Sequence, residues 1–283
     1  MNNQDAILGY QEANLATKAK GLAERTGLEP ATTDVTGRYS NQLNYRSAVG
    51  RWALYSMLPF RQANFPYAMQ NLICPLCAAT APQPYHRDRQ REYLQCQQCR
   101  LVFVPAAQHL DFNHEKAIYD LHQNHEADPG YRKFLSRLTT PLLPLLPSQA
   151  SGLDFGCGPG PLLATMLAEA GHNMELYDPI YANYPDRLHT GYDFVTCSEV
   201  VEHFRHPGQD FARLFGLLRP GGHLAIMTKR LLTAQAFSRW HYKQDQTHVG
   251  FYSEASLQWL AAHYQCRIVF VDRDVVIFNT QPA

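Results

Sequence analysis

Three groups of residues in this chain have the types and spacing to do chemistry. The pairs Cys74–Cys77, in "CPLC", and Cys96–Cys99, in "CQQC", stand some eighteen residues apart. Two C-x-x-C pairs at that spacing offer four thiolates to one tetrahedral Zn²⁺, at about 2.3 Å each. A closed four-cysteine shell leaves no open position, so the expected ion is structural. The second group is "LDFGCGPG", with Asp154, Gly156, Gly158 and Gly160 at two-residue intervals. Glycines let backbone N–H groups approach a ligand closely, and the helix that follows presents its N-terminus. Asp178, a little over 20 residues beyond this loop, stands where an acid can accept hydrogen bonds from ribose hydroxyls. The third group is "CSEVVEHF". Its Glu199, Glu202 and His203 share one face if the stretch opens a helix. Carboxylates crowded beside an imidazole are costly to bury unless a cation or a proton joins them.

These groups need elements to position them. "REYLQC" and "RLVFVP" read as short strands beside the second cysteine pair. Two helices are expected, around His114–His125 and Tyr131–Leu138, and the prolines of "TTPLLPLLP" suggest a linker at about 139–149. From Ser151 strands and helices alternate. "SGLDF" is a strand, "PLLATMLAEAGH" an amphipathic helix ended by Gly171, and "NMELYDP" a second strand. "SEASLQWLAAHY" is a helix with a Ser cap, and "CRIVFVDRDVVIFNT" a two-stranded hairpin. The interval from Asp178 to Tyr192 is too short for a helix and a further strand, although Asp186 lies within it.

Glycine spacing alone also suits NAD-binding folds, but G-x-G-x-x-G fails here because Pro161 follows Gly160. "LDFGCGPG" resembles the first motif of class I S-adenosylmethionine-dependent methyltransferases, "YDFVTCSEVVEHF" their fourth strand and following turn, and "LLRPGGHLAIMTK" their fifth strand. The resemblance covers about 151–280. It implies a Rossmann-like α/β sheet, parallel except for one reversed strand, and S-adenosyl-L-methionine as cofactor. Carried over residue by residue, it gives Gly156, Gly158 and Gly160 to the cofactor's amino-acid end and Asp178 to its ribose. Asp154 would orient the loop or contact the amino group, directly or through water, and Ser198 and Glu199 would lie under the methionine portion. E-x-x-E-H followed by a distant histidine, here His248 in "DQTHVGFYS", resembles the metal site of small-RNA 2′-O-methyltransferases. E-x-x-E-H also recurs in ubiquinone-pathway O-methyltransferases. Glu199, Glu202, His203 and His248 are thus a candidate shell for Mg²⁺ or another divalent ion. Without a metal, His203 or His248 would serve as general base, aided by Glu202. Cys157 and Cys197 read as small packing residues.

Four segments follow: an extension at 1–68, a zinc ribbon at 69–105, a helical connector at 106–149 and a cofactor-binding domain at 150–283. "GLEPATTDVTGRYSNQLNYRS" in the first segment resembles the peptides obtained when DNA around bacterial transfer-RNA genes is conceptually translated. On that reading translation starts at Met69, or at Met57; the alternative is a disordered leader. The 25 basic and 25 acidic residues balance, which gives no global reason to expect nucleic acid. The densest basic run, "RDRQR" at 87–91, reads as a solvated face. No apolar run approaches the roughly 20 residues that span a bilayer, and a cytoplasmic enzyme is expected. Its acceptor is expected to be a small-molecule hydroxyl. An RNA ribose, or a non-catalytic binding module, remains the alternative.

Overall fold

A computed structural model describes residues 72–121 and 128–282, so the extension at 1–68 and the end of the first expected helix lie outside the described residues. All described residues fall in one compact unit. The N-terminal part contributes β1 (Gln83–Arg87), β2 (Glu92–Gln95) and β3 (Val102–Phe103), then helices α1 (Phe112–Tyr119) and α2 (Pro129–Leu142). There follow β4 (Ser151–Phe155), α3 (Leu162–Glu169), β5 (Asn173–Tyr177), β6 (Tyr192–Ser198), α4 (Pro207–Gly216) and β7 (Leu218–Met227). The chain ends with α5 (Ala234–Ser238), β8 (Gly250–Phe251), α6 (Glu254–His263), β9 (Arg267–Phe270) and β10 (Val275–Asn279).

The main sheet has six strands in the order β5-β4-β6-β7-β10-β9. β5, β4, β6 and β7 run parallel, and β10 is antiparallel to both its neighbours. Between β5 and β6 the chain makes only one 3₁₀ turn, Pro185–His189, which carries an exposed Asp186. The short interval therefore holds no strand. Successive residues of β10 enter opposite cores, as a strand covered on both faces requires. Val275 and Ile277 pack with Leu135, Leu138 and Leu142 of α2 and Leu163 and Leu167 of α3. Val276 and Phe278 pack with Phe211 and Phe215 of α4 and Leu257 and Leu260 of α6.

α2 runs through Pro141 to Leu142 and continues into a 3₁₀ turn, Leu143–Leu145, so 139–142 is not linker. Proline costs a helix one backbone hydrogen bond. Here Pro141 is the penultimate residue, and burial of Leu138 and Leu142 holds the last turn in place.

The second sheet, β1-β2-β3-β8, is antiparallel and takes its fourth strand from far along the chain. The cysteine-bearing end is also joined to the main core. Cys74, Cys96, Cys99, Leu101 and Phe103 belong to the same buried cluster as Leu153, Ile226 and Phe278. Gly208 in the first turn of α4 donates to the Pro75 carbonyl at 3.1 Å. Among the described residues, no helix is long and apolar enough to cross a membrane.

Candidate active site

The four cysteines converge. Cys74 and Cys99 Sγ atoms are 3.5 Å apart and those of Cys77 and Cys96 3.4 Å. A tetrahedron with about 2.3 Å bonds has ligand–ligand edges of about 3.8 Å, so the cluster fits a zinc ribbon. Each pair closes in the same turn. Ala78 donates to the Cys74 carbonyl and Arg100 to that of Cys96, and both take left-handed φ (60° and 62°). The hydrogen bond from Cys99 lowers the Cys74 thiol to about 5, while Cys99 itself is pushed far up.

At the carboxyl end of β4, Gly156 and Gly158 have φ of +76° and +64°. A Cβ on Gly156 would lie 2.6 Å from a Val200 methyl, whereas one on Gly158 would meet nothing within 4 Å. The first glycine lets β4 and β6 close up, and the second leaves open space beside the turn. Asp178, buried at the end of β5, ties the turn down. Its Oδ2 accepts from Gly158 N–H at 3.1 Å, and Oδ1 accepts from Ile180 and Tyr181 N–H at 2.8 and 3.0 Å. Asp154 lies beneath and accepts from the Thr196 hydroxyl at 2.8 Å. Burial, with the Asp178 charge adding, pushes it up to about 7. Gly160 accepts from Leu162 N–H at 2.8 Å, and no side chain caps α3.

β6 ends at Ser198, and Glu199 follows with φ +54°. Its Oε1 is closed off from solvent and has no partner, and burial, then the Glu202 charge, raises its carboxyl well above the usual range. An orphaned carboxylate oxygen beside a glycine turn suits a cationic ligand, and S-adenosylmethionine carries both an ammonium and a sulfonium. The residues present fit that cofactor. Tyr131 of α2 closes the same region, its hydroxyl pushed up first by burial and then by the charges of Asp154 and Glu199.

The left-handed Glu199 breaks the helical spacing read from the sequence. The helical turn begins only at Val201 and is a single 3₁₀ turn, Val201–His203. Glu202, His203 and His248 therefore gather with ligand atoms within 4.8 Å of one another, and Glu199 stands outside the cluster. Glu202 is fully buried; Oε2 accepts from the Thr228 hydroxyl at 2.9 Å and Oε1 from Tyr242 Oη. His248 Nδ1 lies 2.7 Å from the Tyr242 carbonyl, and His203 Nδ1 lies 3.2 Å from the Thr247 carbonyl. A carbonyl can only accept, so each ring carries its proton on Nδ1 and keeps a free lone pair on Nε2. The rings meet edge to face at 4.7 Å. Burial lowers both imidazoles, and for His203 the His248 charge adds to it. Asp245 Oδ2, 3.9 Å from His248 Nε2, opposes burial at His248 without overcoming it.

Tyr119 of α1 completes the cluster, its Oη 3.2 Å from His203 Nδ1 and donating to Glu115 at 2.9 Å. The sequence reading missed Tyr119, Thr228 and Tyr242. Tyr242 lies six residues before His248 in a stretch whose polar sequence gives no sign that the fold buries it. Tyr181, just beyond β5, reaches α1 and donates to Asp120 at 2.8 Å. Cys197 is fully buried with its thiol raised well above the ordinary value, and Cys157 is pushed up to about 12. Neither is set up as a nucleophile.

The sheet order with one reversed strand, the glycine turn after its first main strand and the acid ending the next define the architecture of a class I S-adenosylmethionine-dependent methyltransferase. The chain belongs to the methyltransferase-domain family Methyltransf_23, which matches residues 123–271. Among curated relatives it is 32% identical over 117 residues to the biotin biosynthesis bifunctional protein BioCD of Bordetella avium, covering 34% of this chain and 24% of that one. It is 31% identical over 81 residues to the ubiquinone biosynthesis O-methyltransferase of Yersinia pestis, covering 29% of this chain and 34% of the relative. The chain thus spans about a third or less of these relatives. Among solved structures, it resembles the 1,6-didemethyltoxoflavin-N1-methyltransferase of Burkholderia thailandensis at 19% identity and a TM-score of 0.41, over 70% of this chain and 99% of that one. A possible histamine N-methyltransferase from Thermotoga maritima gives 15% identity and a TM-score of 0.38, over 53% and 89%.

Proposed function

We propose that this methyltransferase transfers a methyl group to a hydroxyl of a small molecule. The observation that carries the reading is the pair of adjacent imidazoles, His203 and His248, each fixed through Nδ1 on a main-chain carbonyl with Nε2 left to accept. An activated donor leaves the protein two tasks, to position the acceptor and to take its proton. When bound, S-adenosylmethionine supplies a methyl carbon already activated by the sulfonium. The Gly156–Gly160 turn and Asp178 hold the cofactor's end of the site, and Glu199 offers its unpartnered oxygen to positive charge. Glu202, oriented by Thr228 and Tyr242, sits beside the imidazoles and stabilises the imidazolium formed when an Nε2 accepts the hydroxyl proton. The Yersinia relative is an O-methyltransferase, which agrees with this acceptor class.

A second reading has one specific observation behind it. Glu202 and the two free Nε2 atoms would also suit a divalent ion that lowers the hydroxyl's pKa. The four cysteines would hold a structural zinc.

Titrating S-adenosylhomocysteine into the full chain by calorimetry, with NADH as control, tests the cofactor. Methyl transfer from labelled S-adenosylmethionine to a panel of phenols, catechols and sugars, with and without Mg²⁺ or Mn²⁺, then tests the acceptor. Binding of S-adenosylhomocysteine alone, with transfer to a hydroxyl abolished by His203→Gln or His248→Gln, is expected. Binding of neither nucleotide refutes the enzyme reading, and transfer only to nitrogen or to RNA refutes the acceptor class.

A further inference from the structure

Arg91, the last residue of the basic run, does not lie on a solvated face. It is 5% exposed. Its guanidinium enters the loop that carries His248 and donates to four main-chain carbonyls. Nη1 reaches Gln246 at 3.0 Å and His248 at 2.9 Å; Nη2 reaches Asp245 at 2.9 Å and also Lys243. The same turn adds a second hold. Asp88 Oδ1 accepts from Arg91 N–H at 2.9 Å, and Oδ2 pairs with Lys243 Nζ at 2.8 Å. The strands on either side are joined as well. β3 pairs with β8, and Val104 N–H donates to the Val249 carbonyl at 2.9 Å. Val249 N–H in turn donates to the Glu202 carbonyl at 2.8 Å.

A loop of 3₁₀ turn and bends cannot satisfy its own carbonyls, so carbonyls buried here need an outside donor. A planar fork with five N–H groups can hold several at fixed angles, which an ammonium cannot. From this geometry we infer that Arg91 is a positioning residue for His248, and that the cysteine-bearing module serves as the clamp that builds this side of the active site. The chain of contacts runs from Arg91 to the carbonyls of Lys243, Asp245, Gln246 and His248. It continues through the Tyr242 carbonyl to His248 Nδ1 and through Val249 to Glu202. His248 acquires its role from the proposed function; the positioning itself rests on the contacts alone.

The test uses the full-length protein, with Arg91→Lys keeping the charge on a stem one bond shorter and losing the fork. Long-range ¹H–¹⁵N correlation of the histidine side chains reads the His248 tautomer, and amide exchange reads Val249. The expected result is a single Nδ1–H form for His248 in the parent chain and a tautomer mixture in R91K. Val249 exchange should speed up at least tenfold, with β4 and β6 amides and S-adenosylhomocysteine affinity within about twofold of the parent. If R91K does not fold, Asp88→Asn loosens the same turn and should shift the same two signals in the same direction. An unchanged His248 signal and unchanged Val249 protection in a folded variant overturn the inference. Faster exchange throughout the sheet with matching loss of cofactor affinity also overturns it, because Arg91 would then be a general stabiliser. Failure of the parent chain to bind S-adenosylhomocysteine would count against the methyltransferase function and leave these signals readable.

Discussion

Alanine at Gly156 and alanine at Gly158 should fail in different ways, although the positions are two residues apart. Both have left-handed φ, which costs a residue with a Cβ roughly 1–2 kcal/mol. Alanine recovers about 0.4–1 kcal/mol by restricting the unfolded chain. At Gly158 little else changes, because nothing lies within 4 Å of the new methyl. Its cost to stability should be about 1 kcal/mol. At Gly156 the methyl would lie 2.6 and 2.7 Å from the two Val200 methyls, and overpacking adds about 1–3 kcal/mol. Gly156→Ala should therefore cost about 2–4 kcal/mol in all, or roughly 5–15 °C in melting temperature. The cofactor should respond in the opposite order. The Gly158 methyl enters the open space beside the turn, so S-adenosylhomocysteine affinity should fall at least tenfold, about 1.4 kcal/mol. Urea denaturation and calorimetric titration of both variants provide the assay. Val200→Ala combined with Gly156→Ala should recover the steric part of the loss and none of the φ part. Parent-like binding by Gly158→Ala, or parent-like stability of Gly156→Ala, would refute the reasoning.

Two further outcomes are expected. Metal analysis should find about one zinc per chain; Cys99→Ser should remove it and lower the melting temperature of the whole unit, because the cysteine cluster shares a core with the main sheet, and separate melting of the two sheets would contradict this. His203 and His248 are lowered from 6.5 by burial, so just below pH 6.5 the unfolded chain binds more protons than the folded one. Their contribution to stability is full above that pH and is lost as pH falls through it. Asp154, raised to about 7, works the other way, its contribution fading as pH rises from about 4 to 7. Urea titrations at pH 5–8 in an Asp154→Asn/Glu199→Gln background, which removes both raised carboxyls, should show stability rising with pH and rising less steeply after His248→Asn, and a profile already flat before that change would rule the assignment out.

The glycine turn, the acid ending β5, the helix capped by Ser253 and the closing hairpin were all legible in the sequence. Each is a local pattern in which neighbouring residues fix their own dihedrals, faces or caps. The two cysteine pairs were legible for the same reason, since each closes within one turn. Other features depend on distant chain. Glu199 sits at a strand end whose left-handed backbone breaks helical spacing, so three of the four expected cluster residues meet and the fourth stands outside. The tautomers of His203 and His248 are set by carbonyls of Thr247 and Tyr242, and tautomers are not written in residue order. Arg91 read as a surface charge because composition cannot tell a solvated guanidinium from one that satisfies four buried carbonyls more than 150 residues away. Local sequence thus determined the glycine turn and the cysteine knuckles. Only tertiary structure decided which proton-accepting groups stand together, because burying a polar group requires partners that the fold alone supplies.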